Sequence, residues 1–101
     1  MPLARVQQSL NHAEQHLREG RPQGARHILH VALPAASWTG DETTLRRALE
    51  LTRDLMRHPN TTVLLRNSFL RACICKFEEE AWSSCEVGRK CLAEIGVEVT
   101  L

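Results

Sequence analysis

Apolar residues recur near the start of the chain at steps of three and four: Leu3, Val6, Leu10, Ala13 and Leu17. On a helix these positions share one face, so the pattern predicts an amphipathic helix over about residues 3–19. Gly20-Arg21-Pro22 then interrupts it, and proline suits the first turn of the helix that follows. Ala25, Ile28, Leu29, Ala32 and Ala36 form a second stripe. Two helices joined by so short a turn should pack as an antiparallel hairpin.

The next break falls at Ser37-Trp38-Thr39-Gly40, where Thr39 and Glu42 stand at capping-box spacing. A third helix should begin near Gly40, turn Leu45, Ala48, Leu49, Leu55 and Met56 inward, and stop at His58-Pro59-Asn60. Asn60 or Thr61 can cap a fourth helix over about residues 61–77. Its apolar residues surround it: Val63, Leu70, Ile74 and Phe77 on one side, Leu65, Phe69, Ala72 and Cys73 on another. Such a helix is expected to be buried on several sides. Glu78-Glu79-Glu80 suits the first turn of a fifth helix, where carboxylates meet the positive end of the dipole. Ala81, Cys85, Gly88, Leu92 and Ile95 would share its inner face, with Gly96 closing it. The tail from Val97 to Leu101 alternates like a short strand, but no sheet is expected for it to join. The expected fold is all-α, about five helices in antiparallel hairpins, in one domain over residues 1–101.

Composition narrows the range of partners. Thirteen basic residues against twelve acidic ones leave a formal charge of +1, which gives no global field for nucleic acid or an anionic membrane. No apolar run approaches the ~20 residues of a membrane span, and the N-terminal residues do not read as a signal peptide. The expectation is a cytoplasmic protein with no membrane span, whose four cysteines are thiols.

Candidate chemistry fares poorly against packing. Cys73 and Cys75 would diverge by about 200° on a helix, and Cys85 and Cys91 are also poorly placed to share an ion, so all four read as small buried hydrophobes. His12 with His16, and His27 with His30, have spacings that could present two imidazoles to a metal. Both pairs lie off the apolar stripes, so they are expected to point outward and apart. No serine sits in a nucleophile elbow and no glycine-rich loop could cradle phosphate, so neither an enzyme nor a cofactor is expected. Arg46, Arg47, Arg53, Arg57, Arg66 and Arg71 are interrupted by Glu50 and Asp54, the pattern of an exposed face laced with ion pairs. Nucleic-acid binding is therefore not expected.

Residues 10–34, LNHAEQHLREGRPQGARHILHVALP, resemble a tetratricopeptide repeat. The resemblance lies in Ala13 on the first helix, Gly20 near the turn, Ala25 twelve residues after Ala13, then Leu29, Ala32 and a terminating Pro34. A weaker echo spans residues 66–97, where Cys73 and Cys85 are also twelve apart with Trp82 near the turn. The resemblance implies a non-enzymatic module that binds a peptide or partner helix. By size and class the chain is also similar to the small co-chaperones of type III secretion, which hold the needle subunit's amphipathic helix in a groove.

Helix-in-groove recognition by the apolar fourth helix is the expected mechanism. The expected partner-binding residues are Leu65, Phe69, Ala72 and Lys76, with Trp82 as an anchor. The assembly would be a hetero- or homo-oligomer. Other readings stand beside it: that all five residues are core, that the chain is a structural bundle or adaptor that self-associates, and, behind these, that it is a metal-binding or nucleic-acid-binding helical protein.

Overall fold

The computed structural model of the chain describes residues 2–79, 93–94 and 96. Within them the fold is all-α, with no strand, and four long helices follow in order: α1 (Leu3–Arg18), α2 (Pro22–Trp38), α3 (Glu42–Arg57) and α4 (Val63–Glu79). The middle of the first stripe is buried, Val6, Leu10 and Ala13 being fully covered, while Leu17 is partly buried and Leu3, at the start of α1, is exposed. Ala25, Leu29, Ala32, Leu33 and Ala36 face the core from α2.

The turn between α1 and α2 is a Schellman motif. The Gly20 N–H donates to the Leu17 carbonyl and the Arg21 N–H donates to the His16 carbonyl, at 3.2 and 2.8 Å. This closure needs a left-handed residue, and Gly20 supplies it at φ 75°. Pro22 then occupies the start of α2 and is buried there. Pro34 does not end the helix as the repeat resemblance implies: α2 runs on to Trp38, with the Pro34 ring buried. A mid-helix proline removes one backbone hydrogen bond, so tertiary packing must hold α2 together across it.

α2, not the fourth helix, is the centre of the domain. It packs against α1, α3 and α4, α1 also touches α3, and α3 and α4 make little contact with each other. The third and fourth helices thus do not pair with each other as a hairpin; each docks on α2. Among the described side chains of α4, Phe69 and Cys73 are the fully buried ones, and Arg26 of α2 reaches across to donate a 2.5 Å hydrogen bond to the Ser68 hydroxyl. The outer side of α4 at its start is open: Val63 and Leu64 are 70% and 82% exposed.

Three boundaries differ from expectation. Asp41, not Thr39, caps α3: its carboxylate accepts from the Thr44 N–H and hydroxyl. Thr39 instead donates to the Ala36 carbonyl at the end of α2 and accepts from the Asp41 N–H. Thr62 caps α4, its hydroxyl oxygen accepting from the Leu65 N–H at 3.1 Å. Thr61 faces the other way, donating to the Leu55 carbonyl. Glu78 and Glu79 belong to α4 rather than to the first turn of a fifth helix. Apart from Ala93, Glu94 and Gly96, the proposed fifth helix lies outside the described residues, as does the alternating tail. On α3 the buried set is Thr44, Ala48, Leu51, Thr52 and Leu55, while Leu45, Leu49 and Met56 are only partly covered. The Thr52 hydroxyl, fully buried, is satisfied by the Ala48 carbonyl one turn back.

Two predictions follow from these local environments. The hydrogen bonds from Thr44, side chain first and backbone second, hold the Asp41 carboxyl below its ordinary value. A carboxyl more acidic in the folded than in the unfolded chain stabilises fully above the unfolded value of ~3.9, and that contribution is lost as pH falls through the folded value. Melting temperatures of the wild type and Asp41→Asn from pH 6 to pH 2 should therefore converge as pH drops; parallel curves would count against the cap. Separately, burial pushes the Cys73 thiol up to about 12, with the Arg26 guanidinium opposing in part. Alkylation at pH 8, followed at the Cys73 peptide by mass spectrometry, should be at least ~100-fold slower in the folded chain than after denaturation.

Candidate functional site

The end of α1, the start of α2 and the start of α4 meet around a groove of about 810 Å³. Gly20, Arg21 and Pro22 form one lip, Asn60 and Thr62 another, and Leu64, Leu65 and Ser68 line the α4 wall. His16, Gln23 and Gly24 complete the lining.

Hydrogen bonds between the two turns fix these walls. His58, directly after α3, donates from Nε2 to the Leu17 carbonyl at 3.1 Å and accepts the Asn60 N–H on Nδ1 at 3.0 Å. Both bonds are satisfied by one neutral tautomer, with its proton on Nε2. The Asn60 side-chain amide donates to the Gly20 carbonyl at 3.0 Å, so the α3–α4 turn is tied to the Schellman turn at two points. Arg66 adds a bond from α4 back to the Met56 carbonyl.

His16 departs from the outward placement its spacing suggested. Its ring is half-buried against Gly24, and a Cβ added at Gly24 would fall 2.7 Å from ring Cγ and Cε1. Glycine therefore has a packing role here, opening room on α2 for an imidazole from α1. His16 Nδ1 is buried with no hydrogen-bond partner, as is Arg26 Nε. His12 and His27 are exposed as expected, and His30 is half-buried with Nδ1 within 3.2 Å of the Arg26 carbonyl. No group of three or more His, Cys, Asp or Glu among the described residues could hold a metal ion.

The five expected partner-binding residues separate. Leu65 lines the groove. Phe69 is fully buried as a member of the hydrophobic core, so, contrary to expectation, its side chain is not on a partner surface. Ala72 is half-buried. The Lys76 side chain and the whole of Trp82 lie outside what the structure describes. Val63 and Leu64, not among the five, are the most exposed of the large apolar side chains among the described residues. The signal for them is present in Val63-Leu64-Leu65, because three consecutive apolar residues at a helix start point in three directions, and burying all of them needs neighbours on several sides.

The arginine-rich face also differs from expectation. Among the described residues Arg47 pairs across to Glu14 of α1 at 3.9 Å and bonds Asn11 at 2.7 Å, and the remaining ion pairs are Arg18 with Glu14 and Arg21 with Glu19. None laces α3 to itself. These contacts are exposed or half-exposed and contribute little each. No helix among the described residues is long and apolar enough to cross a membrane. The fold and groove define an all-α domain with an open apolar wall. No family model, curated protein or solved structure matches the chain.

The contact of His16 with Gly24 gives a double-mutant test. Gly24→Ala should cost about 1 kcal/mol, because the new methyl displaces the ring by more than its gain in helix propensity repays. In a His16→Ala background the same substitution should instead stabilise by about 0.5–1 kcal/mol. Equal effects in both backgrounds, measured by urea unfolding, would show that the ring does not rest on Gly24.

Proposed function

We propose that the chain is a non-enzymatic protein-binding module that holds an amphipathic helix of a partner along the groove between the α1–α2 turn and the start of α4. The observation that carries this reading is the exposure of Leu64 on the wall of that groove, with Val63 exposed next to it in the chain. Exposed large aliphatic side chains at a concave site gain by exchanging water for a partner's apolar stripe. Full burial of one such side chain contributes about 1.5–3 kcal/mol. Leu65 remains in the proposed contact set, with Val63 and Leu64 added and Phe69 acting only as the support beneath.

Kinship with tetratricopeptide-type modules is part of the proposal. It is supported by the α1–α2 hairpin, in which Ala13 and Ala25 are both fully buried at the close-packing positions. A role as a cytoplasmic co-chaperone of the type III secretion kind is the most concrete form of it, resting on size and helical class.

Replacement of Leu64 by a photo-crosslinking phenylalanine analogue, expressed in the native cells, tests the reading. The expected result is one dominant adduct at an amphipathic helical segment of another protein, absent when the same analogue replaces Arg5 on the exposed face of α1. Adducts only to a second copy of the chain, or scattered adducts equal to those at Arg5, would overturn it.

A further inference from the structure

We infer that His58 is a positioning residue for this groove: its ring, bonded at both nitrogens, holds the α3–α4 turn against the α1–α2 turn, so that the two lips open as one unit. This deepens the docking reading above by naming what sets the width of its site, and it is a property of the free chain.

Helix packing does not set the position of the groove's α4 wall. α4 packs on α2 but makes little contact with α1 or α3. From Val63 to Ser68 none of its side chains is fully buried; Leu65 is partly covered, and the first to lie wholly in the core is Phe69, nearly two turns from the start. What fixes the first turn of α4 against the end of α1 is therefore polar. Arg66 bonds back to the Met56 carbonyl and Arg26 reaches the Ser68 hydroxyl, but neither joins the α1–α2 turn. His58 and Asn60 do.

The sequence places the ring. A residue before proline is disfavoured in the helical region, and His58, followed by Pro59, leaves α3 at φ −61° and ψ 136°. Its Nε2–H meets the Leu17 carbonyl, which also accepts the Gly20 N–H of the Schellman closure. Its Nδ1 accepts the N–H of Asn60, whose side-chain amide in turn donates to the Gly20 carbonyl. The bonds thus form one loop from Leu17 through the ring and Asn60 to Gly20. Each fixes the group that the next one needs, so losing the ring loosens both ends. The ring is half-buried while Asn60 is exposed, so water replaces the bonds of His58 less readily.

The experiment is amide hydrogen exchange followed by NMR on the free full chain, at one pH and temperature, for wild type, His58→Ala, His58→Gln and Asn60→Ala. The amides that report on the two lips are Arg21, bonded to the His16 carbonyl, and Arg66, bonded to the Thr62 carbonyl. In His58→Ala both should exchange at least ~10-fold faster, while Leu29 and Leu33 in the middle of α2 change by less than ~3-fold. His58→Gln, whose amide can donate to the Leu17 carbonyl in place of Nε2, should recover most of the protection at both. Asn60→Ala alters an exposed side chain and serves if His58→Ala does not fold; it should speed both amides by at least ~3-fold. Faster exchange confined to residues 58–62, an equal rise at Leu29 and Leu33, or no recovery with His58→Gln would overturn the assignment. Such a failure leaves the docking reading standing if the Leu64 adduct is still found. Lips that respond together without any adduct would leave the positioning role intact and remove only the docking reading.

Discussion

Three helices share α2, and the close approach this demands is the constraint from which the rest of the domain follows. Ala25, Ala32 and Ala36 leave little side chain between α2 and its neighbours, while Leu29 and Leu33 fill the spaces beyond them. Small residues let helix axes approach within the usual packing distances, and larger ones interdigitate around them. The same economy operates at the beginning of α2, where Gly24 admits the His16 ring. With α2 occupied on three sides, a proline in its interior is tolerable: the neighbours hold the helix in place across the missing hydrogen bond. α4 packs chiefly on α2. It buries Phe69 and Cys73 and leaves Val63 and Leu64 outside.

Sequence periodicity was a good guide wherever one helix face had to be inside. The stripes of α1 and α2 are buried almost as spaced, because a helix with one core face obeys a 3.6-residue repeat. It was a poor guide for α4, whose apolar residues go all round. Periodicity then says that much is to be buried but not against what, and the choice between a central helix and a helix with one open side depends on partners far along the chain. Caps failed for a local reason. Thr39 and Glu42 have the right spacing, but Gly40 takes φ 74° between them, and the reversal presents Asp41 rather than Thr39 to the first turn of α3. Position on a helical wheel likewise could not show that His16 would find a glycine opposite, since that pairing exists only once the hairpin has closed.

The groove depends on the same closure. Its lips are two chain reversals forty residues apart, and hydrogen bonds from His58 and Asn60 to the Leu17 and Gly20 carbonyls hold one against the other. Gly20 serves three purposes at once. Its positive φ completes the Schellman turn, its carbonyl receives Asn60, and its missing side chain leaves room for that amide, 3.3 Å from where a Cβ would lie. Asn60 and Gly20 also line the groove. The residues that make the turns compact are therefore the ones that shape the cavity, and neither property can be altered without the other.

A groove framed in this way asks less of its occupant. Binding surfaces built on mobile loops pay for ordering themselves, and that cost is subtracted from the affinity. Here the polar frame is bonded before anything arrives, and the apolar wall stands on α4 immediately above the buried Phe69. The exposed aliphatic side chains still have rotamers to lose, but the backbone beneath them has little. Exposure of Leu64 is thus not a defect of packing that another rotamer would repair: the first turn of α4 is pinned by Thr62 and by the burial of Phe69 in the core, so its outward residues have no place of their own in the core of the described domain.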